Sequence, residues 1–415
     1  MGKLTALGIT SGIGSMLIGA KQAGFKPIGN IEWRRYYHKK DKDGKNTFLE
    51  YFPGAFMVES IDDLVEEEVD ALVGVDLAMG HPECGKYSMM NNVNKGRLEA
   101  MTDPGDIPLF VELLARLKPR YFAMDDLPVS LVRAYPMSRY QELLPEYDLF
   151  PEWVSNYHYG NPQKNRKRFF MLGSLKSEGF VFRPGEVEGD YTVAEALKGL
   201  TRKVPNSNPH TLELASDRGL HMDYYGHRPT WGEVQAWFKK KSSGAGFRYH
   251  GPNGFKVKPG MYKSRWDGHS YVLDGGSPTI NPRTNLPFTI RERARIQGFP
   301  DDFVFYGTRL IDGKWKHESN IDMVKQTGKA MPIQFNRFFA KQVRAHIEGK
   351  KFKCSGQRYL TPNPHIDMAK QWFCEHVGYA DQPEACLRCW LYDTCNLPRC
   401  DKQVPIDFNY PEKKK

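Results

Sequence analysis

Segments typical of buried β-strands and of helices alternate through residues 4–128 of the chain. Strand patterns occupy "LTALGIT" (4–10), "KPIGNIEW" (26–33) and "RYFAMDDLP" (120–128), and "ALVGVDLAMGHP" contains a further strand. Helical spacing is found in "MLIGAKQAG", which Gly24 closes, and in "PLFVELLARLKP" (108–119). This alternation predicts an α/β fold, a Rossmann-like doubly wound sheet with parallel strands.

Ligands of such sheets bind beyond the carboxyl ends of the strands. The glycine turn 11–15, Glu32, Cys84 and Asp125 all fall at those ends. A turn such as "SGIGS" with an acid about twenty residues later is typical of a nucleoside site, because glycines let the backbone approach the ligand and the acid binds ribose hydroxyls. The alternative is that the turn serves only tight strand–helix packing.

Cys84 lies in the loop "GHPECGKYS" (80–88), and the other six cysteines lie at or after residue 354. A lone cysteine is often a small buried apolar side chain. A polar Gly/Pro loop at a strand end favours a reactive thiolate instead, which Lys86 would stabilise and Glu83 would oppose. The residues around Cys84 leave both interpretations open.

The net charge of +10 and the pI near 9.0 suit a polyanionic partner, nucleic acid first. No run of about 18 apolar residues is present, so no membrane span is predicted. The N-terminus "MGKLTALGITSGIGS" lacks the charged-then-apolar order of a signal peptide. We therefore expect a cytoplasmic protein, whose clustered cysteines more often bind metal than form disulfides.

Several sequence blocks, in the family order, resemble those of the DNA (cytosine-5) methyltransferases. "ITSGIGSMLIGAKQAGF" and "NIEW" resemble the cofactor blocks, "GHPECGKYS" the nucleophile loop, and "YGNPQKNRKRFFMLG" the Gln-x-Arg-x-Arg block. "DDLP" stands at the Glu-Asn-Val position, and "FTIRERARIQGFPDDF" and "QTGKAMP" resemble the late blocks. The resemblance covers residues 4–175 and about 275–345.

The resemblance implies three regions. Residues 1–175 would form the catalytic domain that binds S-adenosyl-L-methionine, completed by residues 288–348. Residues 176–287, rich in Gly, Pro, His, Tyr and Lys, would form a small irregular target-recognition domain, and residues 349–415 a Cys-rich extension. We expect a monomer that acts on double-stranded DNA in a bacterial or phage-infected cell.

The resemblance also implies covalent catalysis on a cytosine flipped out of the helix. Cys84 would be the thiolate that adds to C6, and Asp125 the carboxyl group near N3. Arg166 and Arg168 would hold the flipped nucleotide and its phosphate. The residues implied to bind the methyl donor are Ser11, Gly12, Ile13, Gly14, Glu32, Trp33, Ser60, Ile61, Pro82 and Lys329.

Some positions depart from the family pattern. They are Glu83 in place of proline, Asp125 and Asp126 in place of Glu-Asn, Ser60 in place of an aspartate, one extra residue between Gln163 and Arg166, and Lys329 in place of asparagine. Two classes of function stay open: an active DNA cytosine C5-alkyltransferase, or a catalytically silent relative that still binds DNA.

By the resemblance, Lys329 borders the reactive end of the donor. Two like charges about 5 Å apart repel by roughly 3 kcal/mol at an effective dielectric near 20, so a lysine disfavours an ordinary sulfonium donor. The pattern favours carboxy-S-adenosyl-L-methionine, whose transferred group is anionic, and 5-carboxymethylcytosine as the product. The alternative is a plain methyltransferase in which Lys329 reaches solvent or a DNA phosphate.

The C-terminal cysteines are clustered in "CEHVGYADQPEACLRCWLYDTCNLPRC" (374–400). A Cys-x2-Cys pair places two thiolates on one turn, as a tetrahedral metal requires. The Cys-x2-Cys-x5-Cys spacing also resembles the iron–sulfur loops of some DNA repair enzymes. We predict a structural zinc or iron–sulfur centre held by Cys374, Cys386, Cys389 and Cys395, in which Cys400 or His376 could replace a ligand. The alternative is a set of scattered buried thiols.

Overall fold

The computed structural model of the chain describes the predicted catalytic region most fully. The described ranges are 2–41, 43–83, 104–127, 135–207 without 186, 188 and 190, 231–243, 262–273, 279–311, 314–317 and 320–352. Cys84 and all residues after 352 lie outside these ranges.

A seven-stranded sheet with the order β3-β2-β1-β4-β5-β7-β6 forms the centre of the molecule. Its strands are β1 (Thr5–Ile9), β2 (Lys26–Ile31), β3 (Phe56–Val58), β4 (Leu77–Gly80), β5 (Tyr121–Asp126), β6 (Tyr147–Ser155) and β7 (Lys167–Leu175). Strands β1 to β5 pair in parallel. The predicted doubly wound α/β sheet is therefore confirmed, with strand bounds within two residues of the sequence patterns in β1, β2 and β5.

The antiparallel pair β6–β7 is a part of the sheet that strand–helix alternation does not predict. β7 pairs antiparallel with both β5 and β6, and β6 forms the edge. Pro151 lies inside β6, opposite Met171. A proline lacks the N–H that a central strand must donate, so an edge position accommodates it. The hairpin brings Arg168, at the start of β7, beside Asp125 at the end of β5.

Helices cover both faces of the sheet, as a doubly wound fold requires. The α-helices of the described residues are α1 (Ser15–Gln22), α2 (Thr47–Tyr51), α3 (Glu66–Asp70), α4 (Ile107–Leu117), α5 (Met137–Leu143), α6 (Val193–Ala196), α7 (Trp231–Lys239), α8 (Ile290–Gln297), α9 (Asn320–Lys329) and α10 (Ile333–Ile347). One apolar core joins α1 to α10, with Leu17 and Phe339 completely buried. A second core lies under α4 and α5, where Phe110 and Tyr140 are buried.

Helix α8 links the late part of the chain to the sheet. Thr289 and Glu292 form a capping box at its start, so the "FTIRERARIQ" pattern contains its own helix signal. Arg291 is completely buried and donates to the backbone carbonyls of Pro205, Pro300 and Phe303. These bonds fix the loop that follows α8.

Two further described features lie outside the central sheet. Strands β8 (Thr308–Ile311) and β9 (Lys314–His317) form a separate antiparallel pair. Among the described residues, no helix is both long enough and apolar enough to cross a bilayer.

Candidate functional site

The glycine turn after β1 is held against β2 by one side chain. Asn30, completely buried, accepts the Ser11 N–H at 3.2 Å and donates to the Gly12 carbonyl at 3.1 Å. Gly12 has a φ of +61°, and a Cβ there would lie 3.1 Å from the Tyr37 ring. Glycine thus permits both the left-handed turn and the close approach of the ring.

Glu32 follows β2 and is completely buried. It accepts the Gly12 N–H at 2.7 Å, Arg34 Nε at 2.6 Å and Arg34 Nη2 at 2.8 Å. Burial alone would lower the pKa of Arg34, but the Glu32 carboxylate raises it above its ordinary value. The acid that the sequence assigns to ribose therefore already has a bidentate partner, which a nucleoside would have to share or displace.

A narrow cleft opens at the carboxyl ends of β1 and β4. Four of the predicted donor-binding residues line it: Ser11, Gly12, Ile13 and Lys329. The basic side chains Arg34 and His81 line it too. The space open to the centre of a water molecule is about 10 Å³, so a nucleoside would enter only after side chains at the mouth move.

The cleft has a polar group that suits a ligand. The Ser11 hydroxyl is buried and has no hydrogen-bond partner among the described residues. A buried hydroxyl without a partner is costly, and a polar ligand in the cleft would remove that cost. The residues present therefore fit a nucleoside donor, with Ser11 and the Gly12 backbone at its floor.

The other predicted donor-binding residues lie outside the lining of this cleft. Gly14 is the N-cap of α1, and Pro82 is buried in the loop after β4. Trp33 donates its indole N–H to Asp106 Oδ2 at 2.9 Å, which holds the ring beside α4. Ser60 and the buried Ile61 lie after β3, where Ser60 caps a short 3₁₀ helix. The Ser60 hydroxyl accepts the Asp62 N–H.

A buried ionic cluster, formed by His81, Asp125 and Arg168, lies at the ends of β4, β5 and β7. Arg168 Nη2 donates to Asp125 Oδ2 at 2.7 Å, and Arg168 Nε to Asp125 Oδ1 at 2.9 Å. His81 Nδ1 lies 2.8 Å from Asp125 Oδ2. Burial by itself would raise the pKa of Asp125, but Arg168 and His81 hold it below its ordinary value. Asp125 is therefore a carboxylate at neutral pH.

Arg166 is held differently from Arg168. It donates to the carbonyls of Leu273 at 2.7 Å, Gly328 at 3.2 Å and Ala330 at 2.7 Å. The last two carbonyls flank Lys329 in the chain. Arg166 thus fixes the backbone on both sides of Lys329, while the Lys329 side chain is exposed at the cleft.

The family model of the C-5 cytosine-specific DNA methylases matches residues 4–345 of this chain. The chain belongs to this family. The match includes the cleft, the ionic cluster and α9, and it ends within α10.

Individual relatives of this methylase are distant. The type II methyltransferase M.MthTI of Methanothermobacter thermautotrophicus is 24% identical, over 82% of this chain and 96% of its own length. M.FnuDI of Fusobacterium nucleatum is 25% identical, over 83% of this chain and 95% of its own length. A prophage-encoded protein of E. coli, described as a DNA modification methyltransferase, shares the fold with a TM-score of 0.58 at 20% identity, over 83% of this chain and 99% of its own.

Two of the predicted sites of the methylase fall outside the described residues. Cys84 follows Glu83, which is exposed and donates its N–H to Asp106 Oδ2 at 3.3 Å. The predicted metal ligands Cys374, Cys386, Cys389 and Cys395 all lie beyond residue 352. Within the described ranges, no group of three or more His, Cys, Asp or Glu side chains could hold a metal ion.

Three residues of the site were not singled out by the sequence analysis: Asn30, Arg34 and His81. Asn30 and His81 lie inside the quoted motifs "NIEW" and "GHPECGKYS", and Arg34 directly follows the first of them. The signal for His81 was a titratable side chain directly after a predicted strand end. The contacts of Asn30 and His81 join residues 18 and 44 positions apart, which no local pattern encodes, whereas Arg34 is bonded to Glu32 two residues away.

Proposed function

We propose that this methylase bonds the Cys84 thiolate to C6 of a cytosine that has been flipped out of double-stranded DNA. The observation that supports the proposal is the ionic cluster of His81, Asp125 and Arg168. Through His81 the cluster adjoins the cleft at the ends of β1 and β4, here called the donor cleft. Asp125 is the carboxylate that would stabilise charge near N3 of the base. Arg168 is the candidate for holding the nucleotide. Arg166 would act indirectly, by fixing the backbone of the donor cleft on both sides of Lys329.

The bond changes of this proposal balance without a redox partner. Addition of the thiolate to C6 makes C5 nucleophilic. C5 bonds to the transferred carbon as the carbon–sulfur bond of the sulfonium breaks, and that electron pair stays on a neutral thioether. The C5 proton leaves to solvent, and cleavage of the C6–sulfur bond regenerates the Cys84 thiolate.

We further propose that the transferred group is carboxymethyl and that the donor is carboxy-S-adenosyl-L-methionine. The family implies S-adenosyl-L-methionine, a cation at sulfur. The charge of Arg34 is paired with Glu32, which leaves the exposed Lys329 amine at the cleft for a ligand. A lysine–carboxylate hydrogen bond contributes about 1.5–3 kcal/mol, whereas repulsion of a plain sulfonium costs roughly 3 kcal/mol at about 5 Å.

Ordinary methyl transfer is the second candidate, and the exposure of Lys329 favours it. An exposed lysine can extend into solvent or bind a DNA phosphate, and its charge is then screened. In that case the donor is S-adenosyl-L-methionine and the product is 5-methylcytosine. The third candidate, a silent DNA-binding relative, predicts neither product.

The test offers both donors in equal amounts and identifies the nucleosides of the modified DNA by mass spectrometry. We expect carboxymethylcytosine to dominate, and Lys329→Asn to shift the product toward methylcytosine by about a hundredfold. The matched control is Lys325→Asn, which removes a lysine from the same helix. The amine of Lys325 lies over the Tyr36 ring. Methylcytosine from the unaltered enzyme, with carboxymethylcytosine at background, contradicts the donor proposal.

We propose that residues 176–287 read the DNA target and that residues 374–400 hold a structural metal. The first segment interleaves clusters of basic and aromatic residues, as in "WFKKKSS". DNA affinity should then fall steeply with salt, because each neutralised phosphate releases counterions. Elemental analysis with a visible spectrum of anaerobically purified protein tests the metal, and colourless, metal-free protein contradicts it.

A further inference from the structure

We propose that Arg283 reads a guanine of the DNA target, with its guanidinium bonded to O6 and N7 of the base in the major groove. Arg283 belongs to the turn 281–286, which leads from the predicted target-recognition region into α8. The inference rests on the proposal that residues 176–287 read the target. It names one residue of that region and the base that this residue would recognise.

The turn 281–286 is fixed by the hydrogen bonds of Asn281. Asn281 Oδ1 accepts the Arg283 N–H at 2.9 Å, and the Asn281 N–H donates to the Leu286 carbonyl at 2.8 Å. Asn281 Nδ2 donates to Glu292 Oε1 at 2.8 Å. Glu292 belongs to the capping box of α8, so the backbone at Arg283 is tied to a helix of the catalytic domain.

The Arg283 side chain is held by one aromatic ring. Its Cζ atom lies 3.7 Å from the centre of the Trp266 ring. The indole itself packs against a buried apolar cluster that includes Leu273 and Phe288. Contact with the face of an aromatic ring restrains a guanidinium without using any of its hydrogen-bond donors. Arg283 is therefore positioned while its N–H groups stay available.

The guanidinium of Arg283 has no partner of opposite charge in the part of the chain that the structure describes. The side chain is exposed, and within the same ranges it donates to no carboxylate and no carbonyl. The buried arginines differ, since Arg168 donates to Asp125 and Arg291 to three carbonyls. A restrained arginine with unused donors matches the two adjacent acceptors that guanine presents in the major groove.

The segment that carries Trp266 is bonded to the chain just before β7. Trp266 lies in residues 262–273, and the carbonyl of Leu273 accepts Arg166 Nη1 at 2.7 Å. The Leu273 N–H donates to Gln163 Oε1 at 2.8 Å. Strand β7 then supplies the arginine of the ionic cluster. A recognising residue attached in this way keeps one spacing from the flipped cytosine, as readout of a fixed position in the target requires.

The lysines at the end of α7, a helix that lies against the turn, suit a different contact. Gln235 Nε2 of α7 donates to the Thr284 carbonyl at 3.2 Å, and residues 239–241 are three exposed lysines. A lysine is a flexible point charge that can meet a phosphate from many directions, whereas O6 and N7 of guanine are met in the plane of the base. The restrained Arg283 therefore suits the base edge, and the lysines suit the DNA backbone.

The test incubates the full chain with DNA duplexes randomised on both sides of one cytosine, at physiological salt, and sequences the bound fraction. For the unaltered enzyme we expect an enriched sequence that contains guanine. Arg283→Met keeps an unbranched side chain over the Trp266 ring and removes every donor. It should lower the enrichment of guanine at one position by about tenfold or more, while the preferences at other positions persist.

Lys240→Ala is the matched control, because it removes an exposed cation of the same region. It should weaken binding to all sequences alike, reduce the salt dependence of log affinity by about one counterion, and leave the enriched sequence unchanged. The same uniform result in Arg283→Met, or no change at all, would overturn the assignment of Arg283 to a base. An unaltered enzyme that enriches no sequence would instead overturn the proposed target reading, and the inference with it.

Discussion

The ionic cluster and the donor cleft are adjacent, yet they arrange their polar groups in opposite ways. In the cluster, both oxygens of the buried Asp125 are bonded by Arg168, and His81 adds a further contact. In the cleft, the Ser11 hydroxyl has no partner among the described residues, and Lys329 is exposed.

The difference shows what each region must do before substrate arrives. A buried charge without a partner is strongly unfavourable, so the cluster has to be complete in the empty enzyme. The cleft keeps a hydroxyl that only a ligand would satisfy, whereas Glu32 beside it is already paired with Arg34. The predictions below test this contrast, beginning with the largest expected effect.

Removal of the proposed nucleophile should stop the chemistry while sparing both regions. We expect Cys84→Ala to lower transfer by at least about a thousandfold, because the C6 adduct cannot form. Covalent trapping on DNA that contains 5-fluorocytosine checks this directly. Cys354→Ala is the matched control and should trap normally. More than a few per cent of activity in Cys84→Ala would show that the adduct mechanism is wrong here.

Removal of one partner in the ionic cluster should destabilise the fold. Arg168→Ala leaves Asp125 buried and unpaired on that side, so the free energy of unfolding should fall by about 3–5 kcal/mol. Arg35→Ala breaks the exposed pair with Glu59 and should cost less than about 1 kcal/mol. Urea denaturation measures both. Equal losses in the two variants would remove the distinction between a required cluster and a surface ion pair.

Arg166 should act on donor choice through the backbone. Arg166→Gln loses the hydrogen bonds to the carbonyls on both sides of Lys329. We therefore expect the preference for the carboxylated donor to fall severalfold as Lys329 loses its position. Arg291→Gln is the matched control, since this arginine also donates to three carbonyls but to none beside Lys329. The positioning role is supported if both variants lose similar stability but only Arg166→Gln changes the donor preference.

The smallest expected effect is on the stability of the protein at acidic pH. The pKa of Asp125 is lower in the folded protein than its ordinary value of 3.8, so its stabilising effect is complete above that value and is lost as the pH falls through the folded pKa. The stability difference between the unaltered enzyme and Asp125→Asn should narrow as the pH falls from about 4 through the folded pKa of Asp125. A difference that instead grows below about pH 4 would contradict an ionised Asp125.

The sequence by itself determined the parallel part of the sheet and the place of the site. Strand–helix alternation depends on local periodicity, which is why β1, β2, β5 and α4 lie where the patterns put them. The carboxyl ends of those strands then brought Ser11, Glu32 and Asp125 to one edge. The antiparallel β6–β7 pair was not predicted, because its contacts join β5 to residues more than 40 positions later.

Only the tertiary structure decided which charges pair. Arg34 is bonded to Glu32, His81 to Asp125, and Arg166 to the carbonyls on either side of Lys329. The last of these contacts spans more than 160 residues. Residue types at strand ends can be read locally, but a hydrogen bond depends on distances of about 3 Å that the packed core sets. The sequence therefore located the groups, and the packing of the sheet against its helices selected their partners.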